Sequence, residues 1–262
     1  MWRLMIDGPA DGVWNMAVDR AVLAARAAGE APPTLRLYWW QVPTVSLGHF
    51  QNAGDVDLEA CRELGIDVVR RPTGGRGVLH DNELTYSMVA AVDDGVPRGV
   101  RASYRWLSGP LVGAYQSLGV DAALTTRSRG DRSAACYLHA THADLSLGAA
   151  KLSGSAQVWD GPAVLQHGSF VIDREVAVEA RVFRLDDRAQ RTLVDKTATL
   201  VHALGRAPER EELAAAVVHA VGRGFGVTLK RGSLSTAELE HAERLVARFR
   251  VTVDQGETST ST

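Results

Sequence analysis

The run Arg70-Arg71-Pro72-Thr73-Gly74-Gly75-Arg76-Gly77-Val78-Leu79-His80-Asp81 lies between two segments that alternate like β-strands, Gly65–Val69 and Leu84–Val89. It packs three glycines into four residues and sets three arginines around them. Glycine lacks a Cβ, so such a turn reaches φ > 0 and lets a ligand approach its amides. Arginine adds a fixed charge and a planar fork suited to carboxylate, phosphate or carbonyl oxygens. The run is not a Walker loop, because no Gly-Lys-Ser/Thr follows. It is not a dinucleotide fingerprint either, because a strand rather than a helix comes next.

Composition narrows the classes. The 262 residues suffice for one large domain, expected over 1–253 with a disordered tail at 254–262. Hydrophobic and charged fractions of 45% and 23% are those of an ordinary globular protein. A formal charge of −2 gives no electrostatic case for nucleic acid or for an anionic membrane. No run reaches transmembrane length and no signal-peptide pattern opens the chain, so a cytoplasmic location is expected. Cys61 and Cys136 do not make a disulfide framework. Lysine is scarce: Lys151, Lys196 and Lys230 are the only three among 29 basic residues, so a lysine inside a motif is informative.

Elsewhere the patterns predict a helix from Asn15 to near Gly29, then strands over 34–40 and 44–51 joined as a hairpin, with the tryptophans and Phe50 in the core. A short capped helix follows over 55–64 and buries Cys61 as a structural thiol. A helix over 103–118 is expected to kink or break at Gly109-Pro110. Residues 125–133 read as an arginine-rich surface loop. Two strands around a glycine turn follow over 135–157, and another strand over 164–172. Beyond Leu193 the chain reads as mainly helical, with Pro208 in a first turn and a capping box at Ser235 and Glu238.

The central run resembles the Arg-Arg-x-x-Gly-Gly-x-x-Val-x-His-Asp signature of the lipoate/biotin protein ligase and octanoyltransferase superfamily. Lys151-x-x-Gly154-Ser155-Ala156-Gln157, with His167-Gly168 ten residues later, resembles the same superfamily. The likeness spans Asn15 to about Ile172. It implies an α+β fold with a mixed sheet flanked by helices. It also implies that Trp39 and Pro43–Gly48, including Ser46 and Gly48, line an acyl pocket. Arg71, Thr73, Gly74, Gly75, Arg76, Gly77 and His80 are its substrate-binding residues on this reading, with Gly154, Ser155, Ala156, His167 and Gly168.

Within the superfamily the closest resemblance is to the LipM-type octanoyltransferases. Cys136 stands 15 residues before Lys151, which resembles the spacing of their active-site cysteine. The resemblance implies Cys136 as nucleophile and Lys151 as the cation that activates it and orients the acyl carbonyl. Backbone donors to the oxyanion are expected from Gly154-Ser155 and Gly74-Gly75. The implied donor is octanoyl-acyl carrier protein. The implied acceptor is a lipoyl-carrying protein, either glycine cleavage H protein or a 2-oxoacid dehydrogenase E2 lipoyl domain. No cofactor is implied; ATP and magnesium enter only if the chain is instead a lipoate-protein ligase. A lipoyl transferase and a non-catalytic acyl- or lipoyl-domain-binding protein are the remaining alternatives. Cys136, His139, His142 and Asp144 also supply metal-type donors, but no metal is expected.

Overall fold

The computed structural model describes residues 1–125 and 144–251, with the backbone alone of two short strands at 129–130 and 139–140. In chain order the elements are β1 (Trp2–Ala10), α1 (Gly12–Ala27), β2 (Thr34–Trp40), β3 (Thr44–Leu47), α2 (Leu58–Glu63), β4 (Asp67–Arg70), β5 (Val78–His80) and β6 (Glu83–Ala91). Then come α3 (Val100–Ser117), β7 (Ala122–Leu124), β8 (Arg129–Gly130), β9 (His139–Ala140), β10 (Leu145–Leu147), β11 (Ala150–Ser153), β12 (Ser155–Asp160) and β13 (Ala163–Val171). The remainder is α4 (Val176–Val182), α5 (Asp187–Lys196), α6 (Leu200–Leu204), α7 (Arg210–Phe225), β14 (Leu229–Arg231) and α8 (Thr236–Phe249).

The principal sheet has the order β12-β13-β6-β2-β1-β14. Its first four strands pair antiparallel, whereas β2, β1 and β14 pair parallel. The fold is α+β with a mixed sheet, as the resemblance implied. Period-two alternation on β2 divides the core. Leu35, Leu37 and Trp39 join the cluster formed with α3 and α7, whereas Tyr38 and Trp40 join the one formed with α1 and α8. Both sides of the central strands are therefore covered by apolar helix faces, which is the burial that holds such a sheet.

Two smaller sheets frame one end. In β4-β3-β5, β3 is parallel to β4 and antiparallel to β5; β11-β10-β7 is antiparallel throughout. The β10–β11 hairpin turns at Gly148, with φ +56°. β3 does not form the expected hairpin with β2, because both edges of β2 are already taken by β1 and β6. The glycine-rich run leads from β4 to β5, which flank β3 in the small sheet, and the chain then enters β6, whose two edges are taken by β13 and β2.

Other local expectations hold in part. Asp57 caps α2 by accepting from the Ala60 amide at 3.0 Å, and Ser235 and Glu238 form the α8 capping box. Cys61 is buried, and that burial, with Asp57 nearby, pushes its thiol up to about 11. Helix α3 runs through Gly109-Pro110 without ending; Pro110 packs against Gly224 of α7, where even a Cβ would stand only 2.7 Å from it. Pro208 lies ahead of the α7 N-cap, Glu209, rather than in the first turn. Phe50 is not in the core but 92% exposed, at the tip of a loop after β3. Residues 126–128, 131–138, 141–143 and 252–262, which include Cys136, His142 and the tail, lie outside the described residues. Among the described residues no helix is long and apolar enough to cross a membrane.

Candidate active site

A cavity of about 280 Å³ opens where the α1 side of the large sheet meets the two small sheets. Its wall is mostly apolar: Met16 from α1, Tyr38 and Trp40 from β2, and Val78 from β5. The glycine-rich run closes one side through Arg71, Gly75 and Arg76. Lys151, Asp144 and the Gly154-Ser155-Ala156 turn close another.

Arg71 does not present its charge to the cavity as an open anion site. Its guanidinium donates to the Ser46 carbonyl at 2.7 Å, to the Gly74 carbonyl at 2.8 Å and to the Arg76 carbonyl at 2.7 Å. One buried fork thus folds the glycine-rich turn around itself. Gly75 adopts φ +94°, which a side chain would strain. Gly48 presses against that turn so closely that a Cβ would stand 1.9 Å from the Gly75 carbonyl oxygen.

Two buried imidazoles line the cavity, each backed by a carboxylate and bonded to a hydroxyl. His80 faces Glu83 Oε1 through Nδ1 at 2.8 Å and Ser46 Oγ through Nε2 at 2.8 Å, with Trp40 stacked on its ring at 4.1 Å. Burial pushes the Glu83 carboxyl up, but His80 and the hydroxyls of Thr85 and Ser169 outweigh it and hold the group below its usual range. The ionised Glu83 carboxylate therefore accepts a hydrogen bond from the His80 Nδ1–H, and Nε2 faces the Ser46 hydroxyl. His167 repeats the pattern, with Asp19 Oδ2 at 3.1 Å and Thr73 Oγ1 at 2.7 Å. Burial lowers His167, and Arg71 and His80 add to the effect. Asp19 resists its own burial through His167 and Arg36 and stays below the usual carboxylate range. His167 is thus held toward the neutral imidazole, and each ring is fixed in orientation by its carboxylate and its hydroxyl partner.

At the opposite wall, Lys151 Nζ lies 3.1 Å from Asp144 Oδ2, and both side chains are almost wholly buried, at 3% and 1% exposure. Tyr104 donates to Asp144 Oδ1 at 2.7 Å and accepts the Ser155 amide at 2.9 Å. The Ser155 amide is therefore engaged by Tyr104. Gly154 passes directly beneath the lysine; a Cβ there would stand 2.9 Å from Nζ.

Of the residues singled out by sequence, the cavity brings together Ser46, Arg71, Gly75, Arg76, His80 and Lys151, and with them Gly154, Ser155, Ala156, His167 and Gly168. Thr73, Gly74, Gly77 and Gly48 do not line it; Thr73, Gly74 and Gly48 support the residues that do. Trp39 points to the other side of the sheet, and its neighbour Trp40 takes the expected place. Residue-level reading missed Met16, Tyr38, Thr85 and Ser169, which reach the cavity by strand alternation and helix packing that no local motif marks. Asp144 was read as a possible metal donor, but it faces Lys151. Cys136 lies outside the described residues; its nearest described neighbour in sequence on this side of the chain is the backbone of β9.

The α+β fold thus carries a mostly apolar cavity that ends on a buried ammonium–carboxylate pair. The chain belongs to the lipoyl protein ligase A/B catalytic domain family, whose profile matches residues 11–222. It is 39% identical over 262 residues to octanoyltransferase LipM of Kyrpidia tusciae, covering 95% of this chain and 96% of that one. It is 41% identical over 258 residues to octanoyltransferase LipM of Symbiobacterium thermophilum, covering 94% of each. The fold is similar to that of a lipoate protein ligase from T. acidophilum with bound lipoic acid, with a TM-score of 0.77, 22% identity and 94% coverage of each chain.

Proposed function

We infer that this chain is an octanoyl-[acyl carrier protein]:protein N-octanoyltransferase of lipoate biosynthesis. The observation that carries the reading is the mostly apolar cavity ended by a buried Lys151–Asp144 pair, in a chain that matches LipM octanoyltransferases over nearly its full length. The apolar wall suits a saturated acyl chain, and the lysine ammonium suits the carbonyl end.

In this mechanism the Cys136 thiolate attacks the octanoyl thioester carbonyl and the carrier thiolate leaves. The acceptor lysine amine then attacks the enzyme thioester, loses a proton, and the Cys136 thiolate departs as the amide forms. An unperturbed thiol is only a few per cent thiolate at pH 7, so a neighbouring ammonium favours the attacking species. Lys151 serves that role, and Asp144 and Tyr104 fix its position. Gly75, in the turn braced by Arg71, supplies a backbone donor on the other side. Thioester exchange is nearly isoenergetic, and thioester aminolysis is downhill. No nucleotide is needed.

The test is transfer from octanoyl-carrier protein to apo-H protein with nucleotide omitted. Amide-linked octanoyl on the acceptor supports the reading. Modification that requires free acid, ATP and magnesium makes the chain a lipoate-protein ligase instead.

A further inference from the structure

Phe50 is the most exposed large hydrophobic side chain among the described residues, at 92%. An exposed aromatic on a loose loop would mean little. This loop is not loose. Arg70 donates to three of its carbonyls, Gly48 at 2.9 Å, His49 at 3.2 Å and Gln51 at 2.7 Å. The His49 amide donates to the Thr73 carbonyl at 2.9 Å, and the Gln51 amide to the Gly48 carbonyl at 2.9 Å. The His49 ring meets Phe50 edge-on at 4.6 Å. The chain thus spends an arginine on holding an apolar ring in water, which is the preorganisation that a binding anchor requires.

The position of the loop indicates the partner. Gly48 abuts the Gly75 carbonyl, and Gly75 is both solvent-exposed and part of the cavity wall, so the cavity opens beside it. Phe50 stands two residues from that contact. A thioester donor enters on a long flexible arm, so its protein body has no need to touch the rim. An acceptor lysine has only its own four-carbon stem to reach the carbonyl, so the acceptor surface must sit against the rim.

We propose that Phe50, held out by the Arg70 clamp, is the docking anchor for the lysine-bearing acceptor protein rather than for the acyl donor; the proposal rests on the acyl-transfer reading above. The ring inserts into an apolar dimple of the acceptor surface and sets the lysine over the cavity mouth.

The experiment compares wild type and Phe50→Ala with apo-H protein as acceptor and octanoyl-carrier protein as donor. Phe50→Ala is expected to raise the acceptor KM by about 5- to 30-fold, as loss of an interfacial aromatic anchor does. The rate of enzyme acylation and the donor KM stay within twofold of wild type, and Phe50→Tyr restores the acceptor KM. An unchanged acceptor KM overturns the proposal, as does a loss confined to the donor step. Direct contact is read without turnover by a photo-crosslinking group installed at Phe50. A crosslink to apo-H protein supports docking, and none refutes it, even if wild type forms no acyl-enzyme and the transfer reading itself fails.

Discussion

Replacing Gly154 with alanine isolates the position of Lys151 from the stability of the fold. The added Cβ falls 2.9 Å from Lys151 Nζ and 3.0 Å from Cε, whereas ordinary contact begins near 3.4 Å. The ammonium must therefore retreat by about 0.5 Å or more, at the expense of its 3.1 Å pairing with Asp144. Only the far end of a flexible side chain has to move, so the overpacking cost is about 1 kcal/mol. The lost backbone freedom of the unfolded glycine offsets about 0.4–1 kcal/mol of it. Misplacing a catalytic group by about 1 Å costs about 100-fold in rate, so a shift near half that predicts a loss of 10-fold or more. The assays are single-turnover octanoyl transfer and thermal unfolding on the same preparation. The expected pair of results is a 10- to 100-fold slower transfer with a melting temperature within a few degrees of wild type. Transfer within twofold of wild type would refute the positioning argument, and a large drop in melting temperature would reduce it to a folding effect.

Other outcomes follow from the same geometry. Gly48→Ala sets a Cβ against backbone, 1.9 Å from the Gly75 oxygen, so thermal unfolding should show a loss at or above the usual overpacking range of about 1–3 kcal/mol. Asp19 and Glu83 have folded-state values below their unfolded ones, so their stabilisation is complete above about pH 5 and is lost as the pH falls through the carboxylate range. Glu83→Gln, followed by melting temperature against pH, should flatten that acid limb; an unchanged limb contradicts the assignment. His167 is also lowered, so the unfolded state takes up its proton first, and stability falls as the pH drops below about 6.5. His167→Gln should remove that portion of the curve. Buried Cys61, with its thiol near 11, should resist iodoacetamide in the native protein while Cys136 is alkylated, as peptide mapping would read.

Much of the site was legible because glycines, arginines and one scarce lysine stand at fixed offsets within continuous motifs. Arg71, Gly75, His80, Lys151 and Gly154 all reach one cavity although they come from two distant stretches, β4 to β5 and β11 to β12. The partners that give them their chemistry were harder to read. Glu83 and Asp19 act through side-chain hydrogen bonds across 3 and 148 residues, and no local pattern encodes the longer one. The β2–β3 hairpin failed because alternation identifies a strand but not its neighbour, and β2 had both edges occupied. Trp39 and Trp40 show the sharpness of that limit: adjacent residues of the same type, on opposite faces of one strand. Phe50 was assigned to the core on hydrophobicity alone, and only the Arg70 clamp explains why it stands in solvent.

The central claim is a covalent octanoyl-enzyme at Cys136, formed without nucleotide. Intact-protein mass after mixing with octanoyl-carrier protein tests it most directly, with wild type and Cys136→Ala in parallel. A hydroxylamine-labile octanoyl adduct on wild type alone is the predicted result. An equal adduct on Cys136→Ala, or none on either protein until free acid, ATP and magnesium are supplied, would contradict the account.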